Sequence, residues 1–154
     1  MLNHTCLHKN IVVHASLDEV WKKWTTSSGL KTFFGVDNRI ELRPGGPYEI
    51  LFLLDNPPST QGGEGNTVLS FLPQKMLSFT WNAPPFIPEV RDHQHKTWVV
   101  LHFEELTEEQ VQITLDHLGW LDGPAWDEAF FYFDNAWDLV LTSLKESWFR
   151  QNGH

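Results

Sequence analysis

A long apolar stripe near the C-terminus is the feature that most constrains the fold of this chain. Asp122-Gly123-Pro124 is a helix-start signal, because proline is tolerated in the first turn, where its missing N–H is no loss. From there, large apolar side chains recur at spacings of four and three over about six helical turns. The stripe consists of Trp126, Phe130, Phe133, Trp137, Val140 or Leu141, Leu144 and Trp148. It predicts a long C-terminal helix with an aromatic face.

Two shorter helices are predicted near the N-terminus, after a β-branched run at 11–13. Ser16 and Glu19 fit the S-x-x-E capping box, so the first helix is expected to begin there. Its apolar stripe consists of Leu17, Val20, Trp21 and Trp24. A second, shorter helical piece is indicated by Leu30, Phe33 and Phe34 and ends at Gly35.

Between these helices and the last one, apolar residues alternate with a period of two, which is typical of strands. A hairpin with a glycine turn is predicted within 36–54, followed by strands at 67–72, 77–81, 99–103 and 111–117. Two long loops interrupt the series. The first, 55–65, is rich in Pro, Gly, Asn and Ser, and the second, 82–96, is rich in proline and polar residues.

Several short motifs follow one another in an order that is specific for a fold. They are Ala15 with Val20-Trp21 and Thr25, Phe33-Phe34-Gly35, Arg43-Pro44-Gly45-Gly46-Pro47-Tyr48, Leu77-Ser78-Phe79-Thr80-Trp81, Thr114-Leu115-Asp116-His117-Leu118-Gly119, and Trp137 with Leu141 and Leu144. These motifs resemble the activator-of-heat-shock-ATPase-like family of the helix-grip (SRPBCC) superfamily, which includes birch-pollen-allergen and START domains. The resemblance covers residues 10–150, and the length of 154 residues predicts a single domain over 1–154.

The resemblance implies an α+β helix-grip fold. In that fold a curved antiparallel sheet, here of about six or seven strands, wraps around a long C-terminal helix, and two short helices follow the first strand. The resemblance is less specific for function, because such families contain chaperone ATPase activators with a link to stress response, small-ligand binders and proteins without a known activity.

Charge and cysteine content exclude several classes of protein. The chain has 11 Lys and Arg against 20 Asp and Glu, a net charge of −9, so it lacks the basic surface that nucleic acids or anionic membranes require. Its one cysteine, Cys6, cannot form an internal disulfide. No N-terminal apolar leader and no apolar run of membrane-spanning length is present, so a soluble, cytoplasmic protein is expected.

The chain carries 8 Trp, 11 Phe and 2 Tyr, more rings than a core of this size obviously needs. In a helix-grip fold, space that the sheet and the last helix leave unfilled becomes a pocket. The alternation along the strands and the apolar stripe of the last helix indicate which residues face that space. We predict a ligand-binding set of Phe34, Phe52, Leu54, Phe71, Phe79, Trp81, Leu101, Phe103, Leu115, His117, Trp126, Phe130, Phe133 and Trp137. The alternative for each ring is ordinary core packing.

Polar candidates for chemistry are few. His117 is the one ionisable residue on the predicted inward face, where it either bonds a ligand or is a structural histidine held by nearby groups. His93 and His95 could act as metal ligands, but no third ligand is evident and a solvated loop is favoured. The usual nucleophile, phosphate-binding and dinucleotide-binding motifs are absent. No catalytic residue, metal or cofactor is therefore predicted.

Three functions remain open at this point. The favoured one is a protein that holds a small hydrophobic or aromatic ligand between the sheet and the last helix. The second, implied by the resemblance, is an interaction domain for a chaperone ATPase, and the third is a cyclase-like or hydrolase-like enzyme in which His117 assists. A homodimer is also possible, because Trp98, Trp120, Phe131 and Trp148 have no evident interior role.

Overall fold

The computed structural model describes residues 6–53 and 55–152 as an α+β fold. The elements are β1 Cys6–Val13, α1 Leu17–Thr25, α2 Ser27–Phe34, β2 Asn38–Ile40, β3 Tyr48–Ile50, β4 Val68–Leu72, β5 Met76–Trp81, α3 Pro88–Arg91, β6 Thr97–Thr107, β7 Gln110–Leu118 and α4 Pro124–Asn152. Five strands form one antiparallel sheet in the order β1-β7-β6-β5-β4, and β2 pairs with β3 in a separate hairpin. One bridge, between Pro47 and Thr67, joins the hairpin to the edge of the sheet.

The two N-terminal helices begin and end as the sequence predicts. Ser16 Oγ accepts from the backbone N–H of Glu19, and the Glu19 carboxylate accepts in turn from the backbone N–H of Ser16, which is the predicted capping box. Thr26 ends α1 and caps α2 through its side chain. Gly35 ends α2 with φ of 76°, a left-handed conformation that glycine adopts without steric cost.

The core lies between the sheet and α4. Along β6 and β7, alternate residues are buried, because successive side chains of a strand point to opposite faces. Leu101 is paired with Leu115 across these strands, and both are fully buried. Further along the sheet, Trp81 lies against Trp137 of α4, with ring centroids 5.0 Å apart. The predicted helix-grip architecture is therefore present.

The prediction of a strand continuing to residue 54 is wrong for Phe52. β3 ends at Ile50, and the backbone beyond it pairs with the following loop: Leu53 N donates to Gln61 O, and Gly63 N donates to Ile50 O, each at 2.7 Å. Because this pairing replaces a strand ladder, Phe52 is 43% exposed. Leu54 lies outside the described residues.

The second loop contains a helical turn that the sequence analysis does not predict. Pro88 stands in the first turn of α3, where a missing N–H has no consequence. Ile87 and Val90 are buried beside it, so this loop is anchored in the core at its midpoint.

Of the tryptophans without a predicted interior role, Trp148 is buried, and Trp98 and Trp120 are half-buried. Trp148 is buried, with the Lys23 ammonium 4.9 Å from its ring centroid. Trp120 donates from Nε1 to the backbone oxygen of His117, and the Trp98 ring lies directly against Gly119. Of the residues considered for a dimer surface, Phe131 is exposed.

Candidate functional site

A cavity of about 270 Å³ opens between α4 and the two long loops. Trp81, the last residue of β5, forms part of its wall together with the chain that follows it. α4 contributes Phe133, Trp137 and Val140, which fall on one helix face by their spacing of four and three. The complete lining is Phe52, Leu53, Gly62, Gly63, Trp81, Asn82, Ala83, Pro84, Pro85, Phe86, Tyr132, Phe133, Ala136, Trp137 and Val140.

The cavity brings together only part of the predicted ligand-binding set. Phe52, Trp81, Phe133 and Trp137 line it. The buried members Phe79, Leu101, Phe103, Leu115, His117 and Trp126 do not line it and instead form core, while Phe34, Phe71 and Phe130 are half-buried outside it. Phe34 stands directly behind the wall, with its ring centroid 5.9 Å from Phe52 and 6.2 Å from Trp81. Ligand contact remains a prediction for the four lining residues.

Most of the lining that the sequence analysis misses comes from loops. Gly62, Gly63 and the segment 82–86 have no periodicity from which an inward direction could be inferred. Tyr132 and Ala136 are different, because they precede Val140 at intervals of four on α4. A helical projection of the predicted helix could have identified these two.

The two cavity tryptophans are joined by a chain of buried hydrogen bonds, which we call the His117 chain. The indole Nε1 of Trp137 donates to His117 Nδ1 at 3.0 Å, so the imidazole proton lies on Nε2. Nε2 donates to Thr97 Oγ1 at 2.8 Å, and Thr97 Oγ1 donates to the backbone oxygen of Trp81 at 2.9 Å. The chain therefore fixes Trp137 and the end of β5 relative to each other.

His117 is a structural histidine. It is fully buried, and burial lowers its pKa from 6.5 to about 3, so the imidazole is neutral. Both ring nitrogens are bonded to protein groups, which leaves neither for a ligand or a proton transfer. The enzyme hypothesis named this residue as the assisting group, and the geometry does not support that role.

Arg91 ties the two loops of the cavity to each other. Its side chain is 6% exposed, and its guanidinium donates to the backbone oxygens of Ser59, Gly62 and Ala83, each at 2.7 Å. Glu64 accepts from the same guanidinium at 3.3 Å and also from the N–H groups of loop 55–65. A planar guanidinium suits this role because its donors diverge in a fixed fork. We call this arrangement the Arg91 clasp.

Among the described residues that line the cavity, the phenol of Tyr132 is the one ionisable group. Asn82 is the second polar side chain of the lining, and the rest is apolar or glycine. Moving an uncharged polar group into an apolar space without a hydrogen-bond partner costs roughly 2–7 kcal/mol, and moving an unpaired charge costs more. The site therefore favours neutral ligands.

The two histidines considered as metal ligands are engaged with protein groups. His93 Nδ1 accepts from the backbone N–H of His95, and His95 Nε2 lies 2.6 Å from the backbone oxygen of Gly119. Within the part of the chain that the structure describes, no group of three or more His, Cys, Asp or Glu side chains is placed to hold a metal ion. No helix described there is long and apolar enough to cross a membrane.

Comparison with known proteins identifies a family and a fold. The sequence model of the family described as Activator of Hsp90 ATPase homolog 1-like protein matches residues 14–147. No curated protein sequence matches the chain.

Solved structures of the same architecture are numerous, and three illustrate the range. A protein of Mesorhizobium loti is 16% identical, with a TM-score of 0.69 over 94% of this chain and 98% of its own. An HSP90 activator from Plasmodium falciparum is 12% identical, with a TM-score of 0.70 over 93% and 94%. The Aha1 dimer from Colwellia psychrerythraea is 17% identical, with a TM-score of 0.61 over 94% and 96%. At these identities the likeness establishes the fold alone.

Proposed function

The chain belongs to the Activator of Hsp90 ATPase homolog 1-like family, and we propose that it binds a small, neutral, hydrophobic or aromatic ligand in the cavity beside α4. The family and its structural neighbours support a ligand-binding or interaction domain at the coarser level. The proposal adds the class of ligand and the place where it binds.

The cavity is the observation that supports this function. Ligand pockets of proteins typically measure about 300–1,000 Å³ and are lined mainly by apolar and aromatic side chains. At about 270 Å³, this cavity lies just below that range, and Trp81, Trp137 and Phe133 supply aromatic surface. It is preformed in part, because the His117 chain and the Arg91 clasp hold its wall and its two loops. Preformed walls reduce the entropy lost on binding.

Filling the cavity tests this proposal. Ala136→Phe places a ring in the space from the helix side and should reduce the affinity for a neutral bicyclic aromatic probe by at least about tenfold. Leu139→Phe is the matched control. Leu139 is on the exposed side of α4, so this variant should bind the probe with the affinity of the wild type. Intrinsic tryptophan fluorescence measures binding, since Trp81 and Trp137 line the cavity. Absence of saturable binding across a broad panel of neutral aromatics would contradict the proposal.

A second candidate function is activation of a chaperone ATPase. Family membership and the likeness to an HSP90 activator from Plasmodium falciparum favour it. In this case the surface, rather than the cavity, contacts the partner, and the chain raises the ATPase rate of an Hsp90-type chaperone in a mixed assay. An unchanged rate at saturating concentration would exclude this role. Ala136→Phe should leave the stimulated rate intact, which separates the two functions.

We also propose that the protein is cytoplasmic and forms a homodimer through the outer face of α4. Phe131, Leu139 and Phe149 are exposed on that helix, and a structural neighbour is described as a dimer. Native mass spectrometry measures the number of chains directly. A dimer that Leu139→Lys converts to a monomer supports this interface, and a monomeric wild type excludes it.

A further inference from the structure

Asn82 is a polar side chain of the cavity lining that carries a buried acceptor atom. Less than 1 Å² of its Oδ1 is accessible, and no described residue donates a hydrogen bond to this atom. Resting on the proposed function, we infer that Asn82 Oδ1 accepts a hydrogen bond from the ligand. The ligand is then a neutral aromatic molecule that carries a hydroxyl or N–H donor.

The orientation of the Asn82 amide follows from its other hydrogen bond. Nδ2 donates to the backbone oxygen of Glu64 at 3.2 Å. Because a carbonyl oxygen only accepts, the nitrogen must occupy that side of the amide. The acceptor Oδ1 is therefore the atom left without a partner.

A buried acceptor without a donor is uncommon and destabilising in folded proteins. Apolar pockets orient their ligands through a few polar groups, and a ligand that donates a hydrogen bond would supply the missing partner of Oδ1. The other polar side chain of the lining, Tyr132, is 40% exposed, so water can satisfy its hydroxyl. Asn82 is therefore the polar side chain of the described lining whose buried acceptor lacks a hydrogen-bond donor.

Because less than 1 Å² of Oδ1 is accessible, the inference includes a rotation of the amide about χ2 that turns Oδ1 toward an occupant of the cavity. The Asn χ2 torsion has a broad energy minimum, and the bond that restrains it, at 3.2 Å, is at the long end of the usual range. The loop that receives this bond is held independently by the Arg91 clasp. The rotation therefore need not disturb the wall of the cavity.

The same atom discriminates among ligand classes. A carboxylate would place an acceptor against an acceptor, and no basic side chain lines the cavity to neutralise it. An ammonium ion could donate to Oδ1, but it would lose its hydration to an apolar space. A phenol, an indole or a similar neutral donor satisfies Asn82 without burying a charge.

Two probes of similar shape test the inference on the full chain. 1-Naphthol can donate a hydrogen bond, and 1-methoxynaphthalene cannot. Isothermal titration of the wild type should give an affinity about tenfold higher for 1-naphthol. In Asn82→Leu, the two affinities should agree to within about twofold, while binding of 1-methoxynaphthalene reports that the cavity is intact. Tyr132→Phe is the matched control and should keep the preference.

The outcomes of this titration distinguish a failure of the inference from a failure of the proposed function. Equal affinities in the wild type would overturn the inference and leave the proposed binding function standing. A preference that persists in Asn82→Leu, or disappears in Tyr132→Phe, would also overturn it. If neither naphthalene binds and no other neutral aromatic does, both the inference and the proposed function fail. Equal affinities in the wild type overturn the inference even if Asn82→Leu does not fold.

Discussion

At the scale of single residues, His117 shows how a polar side chain can serve a binding site without touching the ligand. It accepts from Trp137 and donates to Thr97, which in turn donates to the Trp81 backbone. These bonds require the neutral imidazole, because a protonated Nδ1 could not accept from the indole. The hydrogen bonds that hold the His117 ring in place therefore depend on the imidazole being neutral.

His117 should make stability depend on pH. Its pKa is about 3 in the folded protein and near 6.5 in the unfolded chain, so below pH 6.5 the unfolded state binds the extra proton. The contribution is fully present above pH 6.5 and is lost as the pH falls toward 3, at up to about 1.4 kcal/mol per pH unit. Urea unfolding between pH 7 and pH 4 measures this loss.

His117→Gln is the matched variant for that experiment. A glutamine amide can also accept from Trp137 and donate to Thr97, but it does not titrate. Its free energy of unfolding should therefore fall less steeply with acid than that of the wild type, while other groups contribute equally to both. Parallel curves for the two proteins would show that His117 is not the titrating group.

At the scale of secondary-structure elements, the loops define the cavity as much as the sheet and helix do. Arg91, at the end of α3, holds loop 55–65 against the segment that follows β5. Lysine in its place keeps the charge but cannot reproduce the divergent donors of a guanidinium.

Arg91→Lys should therefore loosen both loops. We expect faster cleavage by protease within 55–65 and weaker binding of a neutral aromatic probe, with the sheet and α4 retained. Limited proteolysis followed by mass spectrometry locates the cleavage site. Arg43→Lys is the control, because Arg43 is exposed and forms a surface ion pair with Glu41. Equal cleavage rates in the two variants would contradict the role of the clasp.

The sequence predicted the regular elements better than the cavity. Alternation placed Leu101, Leu115 and His117 on the inner face, and the capping box at Ser16 marked the start of α1, because these signals depend on local periodicity. It extended the strand after Ile50 to Phe52, whereas the backbone there pairs with Gln61 of the loop that follows. Pairing of an irregular segment with its neighbouring loop leaves no periodic trace in the sequence.

At the scale of the whole molecule, many rings form core and comparatively few line a cavity. Phe79 stacks on Tyr48 with ring centroids 4.1 Å apart, and Phe103 meets Trp21 edge to face at 5.6 Å. This packing leaves the end of the fold near Trp81 and Trp137 as the place where α4 and the sheet do not close completely. The net charge of −9 disfavours anionic ligands.

A crystal structure of the protein grown with 1-naphthol tests the central claim most directly. The account predicts electron density for the ring system between α4 and the two loops, in contact with Trp81 and Trp137 and with its hydroxyl beside Asn82 Oδ1. Density for the naphthol elsewhere on the protein, with this cavity empty at a saturating concentration, would contradict the account.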